Sequence, residues 1–233
     1  MPAEEEKAAD RAERLLIEAI MNGTYQPGTF LPGERNLCKD LGVARPALRE
    51  ALQRLSRDGW LTITQGKPTI VTDYLREGNL NMLSSLLNSQ ESTLIGFVPD
   101  LLEMWSLLAP TYTRRAVERE AAAIARLLFG LQGVDDRPEP VARAQWRLHR
   151  TLTELCGNPI YGLVLNSFAE FYRRLAIGFF ATEGTRAQAR AFWTQMESAA
   201  RAEDGPAAAA LMEEQMAFLR DHWDVYVDLD TFR

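Results

Sequence analysis

The stretch PGTFLPGERNLCKDLGVARPALREALQRLSRDGWLTITQGKPTIV, residues 27–71, decides the fold. Within it, ERNLCKDL (34–41) reads as a short helix with Leu37 and Leu41 on one face. Gly42 ends that helix, because glycine takes the left-handed conformation without a Cβ clash. Val43 and Ala44 complete a tight turn. PALREALQRLSRD (46–58) follows, with Pro46 at the first helical position, where no N–H is needed. Leu48, Leu52 and Leu55 fall at i, i+4 and i+7 and form a core stripe, while Arg45, Arg49 and Gln53 share another face. LTIT (61–64) and TIVT (69–72) are β-branched runs flanking Gln65-Gly66-Lys67-Pro68 and read as a hairpin. Leu31, Leu37, Leu41, Val43 and Trp60 are the expected packing residues.

Upstream, ADRAERLLIEAIMN (9–22) reads as an amphipathic helix, with Ala12, Leu15, Leu16, Ala19 and Ile20 at helical spacing. Gly23 stops it, and YQPGTFLPG carries turn chemistry. The order helix, helix, turn, helix, hairpin is that of a winged helix-turn-helix spanning residues 1–72. DYLREGN (73–79) reads as a polar linker. From residue 80 to 233 helical patterns dominate, near 80–88, 94–109, 111–130, 138–156, 158–181, 185–203 and 206–227. Breaks are expected at Gly133, Pro138, Gly157, Gly184 and Gly205-Pro206; Pro99 and Pro110 read as breaks, first-turn residues or kinks. The predicted fold class is therefore mostly α. It joins an N-terminal winged helix-turn-helix with a small β-hairpin wing to an all-α C-terminal effector-binding and dimerisation bundle.

Composition narrows the function. The 233 residues carry a net charge of −6, with 46% hydrophobic and 25% charged residues, which fits a globular protein. No apolar run reaches the roughly 20 residues a membrane span requires, and the acidic start MPAEEEKAAD does not read as a secretory signal. Two cysteines, Cys38 and Cys156, without a CxxC, exclude a disulfide framework and a zinc finger and point to the cytoplasm. The negative average hides a local excess: residues 43–69 hold five basic side chains against two acidic ones. Local charge is what phosphate responds to. The chain has no GxSxG, P-loop, HExxH or dinucleotide fingerprint, so neither an enzyme nor a cofactor is predicted. Cys156, in an apolar context, reads as an inert core thiol.

The chemistry of the central stretch points to DNA. An α-helix fits the major groove, and an arginine can make two hydrogen bonds to guanine. Arg45 and Arg49 stand one turn apart on the face opposite the leucines, and Arg35 begins the preceding helix, where free N–H groups also favour phosphate. Gly66 at the wing tip permits close backbone approach, and Lys67 supplies a cation. In the C-terminal region Leu101, Leu102, Trp105 and Leu108 form one apolar stripe. Phe168, Phe171, Tyr172, Leu175 and Phe179 form another, with Trp193, Met216, Leu219 and Trp223 adding to the apolar surface. Most of these serve a core, and their aromatic and methionine content also suits an adaptable apolar pocket.

The same stretch closely resembles the GntR family, whose hallmark is PGxxLPxERxLxxxLGVxRxxLREALxRLxxxG. GWLTITQGKPT (59–69) and CGNPIYGLVLN (156–166) are further similar to the fatty-acid-responsive branch of that family. The resemblance implies that Arg35, Arg45 and Arg49 make the main DNA contacts. It also implies that Gln65, Gly66 and Lys67 enter the minor groove, Gln65 standing where His is frequent. Ala44, Pro46 and Ala47 occupy positions where close relatives carry threonines, so their contacts to the operator would be fewer or apolar. A homodimer on a palindromic operator, with GGT/ACC in its arms, is implied as well. The implied effector is a long-chain acyl-CoA, with candidate contacts at Leu102, Trp105, Phe168, Tyr172, Phe179, Trp193, Met216, Leu219 and Trp223. Tyr172 and Trp223 match the branch. Trp105 stands in place of an arginine, Phe179 and Trp193 in place of tyrosines, and MAFLRDHW (216–223) in place of a smaller stretch. A free fatty acid or another small organic acid is the alternative effector, and a helical enzyme with a vestigial winged domain is the alternative of another class. Many relatives hold a divalent cation through an Asp and three His. Here His149 matches that motif, Gln145 takes the Asp position and the only other histidine is His222, so no metal is expected.

Overall fold

The structure, a computed structural model, describes residues 7–78, 82 and 97–226. The chain divides into two compact units, Met1–Gly96 and Phe97–Arg233. The helix expected over 80–88 lies, apart from Met82, outside the described residues.

The first unit starts with α1 (Ala8–Met21), which buries Ala9, Ala12, Leu16, Ile17 and Ile20. Then come α2 (Glu34–Leu41) and α3 (Arg45–Asp58). Gly42 closes α2 at φ 65°, the left-handed conformation expected of it. Arg45 opens α3 one residue earlier than the proline pattern indicated, and Leu48, Ala51, Leu52 and Leu55 bury the stripe against α1 and α2. Each buried leucine contributes about 1.5–3 kcal/mol relative to exposure. Arg54 ties α3 to α1 by pairing with Asp10 at 2.7 Å and Glu13 at 3.3 Å.

The wing is shorter in regular pairing than its sequence suggested. β1 (Leu61–Thr62) pairs antiparallel with β2 (Ile70–Val71), in the register Leu61 to Val71 and Thr62 to Ile70. The other edge of β2 is covered by residues 28–31, which sequence reading assigned to turns alone. Gly28 N–H donates to Val71 O at 2.8 Å, Val71 N–H to Thr29 O at 2.9 Å, and Leu31 N–H to Thr69 O at 2.8 Å. Trp60, 1% exposed, anchors the hairpin. Its backbone N–H donates to Leu55 O at 2.8 Å and its carbonyl accepts Thr72 N–H at 2.9 Å. The one-turn helix α4 (Tyr74–Glu77) lays the Tyr74 ring against Trp60, centroids 5.6 Å apart.

The second unit is all-helical in its described residues: α5 (Val98–Leu131), α6 (Pro138–Leu155), α7 (Pro159–Ser167), α8 (Ala169–Phe179), α9 (Glu183–Arg201) and α10 (Gly205–Tyr226). α5 packs against α6, α9 and α10. Two boundaries differ from expectation. Pro110 does not end a helix: α5 runs through it, and the backbone leaves helical angles ten residues later, at Glu120 (φ −141°, ψ 41°). The single segment expected over 158–181 is two helices, broken at Phe168 (φ −103°, ψ 2°). The core joins Ile124, Leu128, Leu148, Leu152, Trp193 and Met196, all under 2% exposed.

Candidate functional site

The first unit carries exposed cations on α2, α3 and the wing. Arg35, Arg45 and Arg49 are all exposed, Arg35 and Arg45 in the first turns of α2 and α3 and Arg49 one turn further along α3, while Leu48, Leu52 and Leu55 point into the core. Arg45 and Arg35 form no ion pair among the described residues. Arg49 Nε donates to Glu34 Oε1 at 3.1 Å and Oε2 at 3.0 Å, which links the two helices of the helix-turn-helix. Gln65, Gly66 and Lys67 sit exposed at the wing tip, with Gly66 at φ 74°. Ala44, the residue before α3, caps it without a side-chain hydrogen bond, and Pro46 and Ala47 occupy its first turn. Ala44 and Pro46 are exposed and Ala47 is half-buried.

The structure also sorts the local positive charge. Arg54 is committed to Asp10, Glu13 and Glu50, and Arg57 pairs with Asp58 at 3.0 Å. Of the five basic side chains in residues 43–69, Arg45, Arg49 and Lys67 therefore remain for the exposed cationic surface, with Arg35 on α2 outside that range.

The second unit holds an apolar cavity of about 90 Å³, enough space for several waters. Eight sequence-predicted residues line it: Leu102, Trp105, Phe168, Tyr172, Phe179, Met216, Leu219 and Trp223. The break at Phe168 reorients the chain, so that Phe168 and the first turn of α8 share one wall. Trp193 does not line the cavity. It is fully buried behind it and donates its indole N–H to Gln145 Oε1 at 2.7 Å. Three polar side chains on the lining were not predicted as ligand contacts: Gln145, His149 and Gln215. Gln215 had a legible signal, since it interrupts the apolar spacing Met212, Met216, Leu219, Trp223 on α10.

Gln145 and His149 belong to a buried hydrogen-bonded chain whose directions the two tryptophans fix. Trp193 N–H occupies the Gln145 oxygen, so the Gln145 amide N–H₂ faces His149 Nε2 at 3.3 Å and donates to it. His149 then carries its proton on Nδ1 and donates to Tyr112 Oη at 2.7 Å, which also accepts Trp105 N–H at 2.9 Å. Burial, at 2% exposure, lowers the His149 pKa to about 4 and keeps the ring neutral. Burial also raises the hydroxyl pKa values of Tyr112 and Tyr172. Trp105, Trp146 and Tyr172 pack as an aromatic group, with the Trp146 and Tyr172 centroids 4.9 Å apart.

These residues do not fit a divalent cation. Both His149 nitrogens and the Gln145 oxygen are engaged, and among the described residues no three His, Cys, Asp or Glu converge. Cys156 is buried, its thiol directed to Thr153 O at 3.2 Å. Among the described residues no helix is long and apolar enough to cross a membrane.

A recognition helix backed by leucines, with exposed arginines at its entry and a basic-tipped hairpin after it, defines a winged helix-turn-helix regulator. The chain belongs to the GntR family of bacterial regulatory proteins, whose model matches residues 8–71, and carries the FadR C-terminal domain over residues 72–225. It is 37% identical over 185 residues to the fatty acid metabolism regulator protein of Edwardsiella ictaluri, covering 79% of this chain and 77% of that one. It is 36% identical over 187 residues to the protein of the same name from Yersinia enterocolitica, covering 80% and 78%. A solved Listeria monocytogenes structure, titled for Lar's control of the agr system, shares the fold at TM-score 0.51 and 18% identity, covering 96% of this chain and 99% of that one.

Proposed function

We propose that this chain is a cytoplasmic, non-enzymatic regulator of fatty acid metabolism genes that binds a palindromic operator as a homodimer and is released by a long-chain acyl-CoA. The observation that carries the reading is the opposed placement on α3, arginines outward and leucines inward. One winged helix reads a half-site, so a symmetric pair matches a palindrome. Arg45 and Arg49 read base edges from the major groove, Arg35 contacts phosphate, and Gln65, Gly66 and Lys67 enter the minor groove beside it. The homology to fatty acid metabolism regulators supports the target genes. The apolar cavity supports a lipid-chain effector, and no basic side chain among its described lining would neutralise a small acid.

The effector acts by favouring a dimer geometry in which the two recognition helices no longer match successive half-sites. A tenfold loss of operator occupancy requires a coupling of only about 1.4 kcal/mol. Titrating DNA-bound protein separately with oleoyl-CoA, oleate and CoA tests the reading. Release by oleoyl-CoA alone supports it; release by oleate or by CoA, or by none of the three, overturns the effector assignment.

A further inference from the structure

One residue of the cavity's wall carries a buried polar atom with nothing to bond. Gln215 is 3% exposed and lines the cavity, and its Oε1 has no hydrogen-bond partner among the described residues. Gln145 and His149, the other polar lining groups apart from the aromatic rings, are satisfied by the Trp193–Gln145–His149–Tyr112 chain. The other buried polar atoms left unpaired among the described residues, Trp60 Nε1, Thr113 Oγ1 and Gln132 Nε2, lie away from the cavity. A buried acceptor without a donor is destabilising, so its retention on an otherwise apolar wall needs an explanation.

We propose that Gln215 is a specificity-determining residue whose amide oxygen accepts a hydrogen bond from a neutral N–H or O–H group borne by the apolar chain of the ligand. The donor must be neutral because no Asp or Glu lines the cavity among the described residues to pair with a cationic donor, and no Arg or Lys to pair with an anionic group on the same ligand, so either charge would lose its hydration without gaining a partner. The shared chemistry is an uncharged donor on a long alkyl chain. An amide N–H next to an acyl thioester and a hydroxyl on the chain itself both supply it. The inference deepens the effector reading and rests on the cavity being the ligand site.

The test compares matched probes on the full chain, followed by tryptophan fluorescence, since Trp105 and Trp223 line the cavity. One pair is 1-decanol and decyl methyl ether; the other is N-methyldecanamide and N,N-dimethyldecanamide; decanoate at pH 8 is the charged control. In the native chain the donor-bearing member of at least one pair binds about tenfold tighter than its blocked partner, and decanoate binds more weakly than either donor. The pair that shows the preference identifies the source, hydroxyl or amide. In Gln215→Met, nearly isosteric and helix-compatible, the preference falls to within about twofold, while the blocked probes bind as before. Gln215→Leu is the second variant should the first not fold. Absence of preference in both pairs, persistence of preference in the variant, or decanoate binding equal to the donors overturns the assignment. Operator release is scored separately. Release by oleoyl-CoA without donor preference sinks this inference alone, and donor preference without release sinks the regulatory reading alone.

Discussion

The Arg49 side chain is already half oriented by its neighbour on α2. Its Nε is held by both oxygens of Glu34, which leaves the two terminal nitrogens of the guanidinium unbonded among the described residues. Those are the nitrogens that a bidentate contact to guanine uses. At 66% and 41% side-chain exposure the pair adds no more than about 1 kcal/mol to stability, so its value lies in geometry. Arg45 has no such partner among the described residues. Arg45→Ala and Arg49→Ala are each expected to weaken operator binding by about 1–3 kcal/mol and to relax base preference at one position per half-site. Fluorescence anisotropy with single-mismatch operators measures both effects; a uniform loss across all sequences would mark these side chains as phosphate contacts instead.

At the level of elements, α3 begins without a side-chain cap. Ala44 offers no oxygen to the free N–H groups of the first turn. Ala44→Ser is expected to stabilise the first unit by about 1 kcal/mol, read as a higher urea midpoint at an unchanged slope. Much of this architecture was legible in the chain. The leucines of α3 recur every third or fourth residue, Gly42 marks the end of α2, and Pro138 opens α6. The rest was hidden for definite reasons. Phe168 breaks a helix with neither glycine nor proline, so no local signal marks it. Residues 28–31 pair with β2 some forty positions away, and their prolines and glycines conceal that long-range edge. Trp193 reads as a lipid contact on its own, yet its indole N–H is spent on Gln145 behind the wall. Gln215 shows as a lone amide in an apolar stripe, but only the fold reveals that its oxygen goes unmet.

For the molecule as a whole, stability should carry the mark of one buried ring. The unfolded chain protonates His149 near pH 6.5, whereas the folded chain resists until about pH 4. The unfolded state thus binds the extra proton in that window, and stability falls as pH drops through it. Between pH 7 and pH 5 this contribution loses about 2 kcal/mol. Urea titrations of the native chain and of His149→Gln measure it: the native chain should lose more stability over that range, and parallel losses would show that the ring does not remain neutral.

The neutrality of the cavity lining has a calorimetric consequence. With no ionised side chain among its described walls and its imidazole locked uncharged near neutral pH, filling the cavity moves no proton to or from solvent. Heats of ligand association recorded near pH 7 in phosphate and in Tris, whose ionisation enthalpies differ widely, should therefore coincide. An effector held there, as proposed, would then be reported without drift as the surrounding acidity changes.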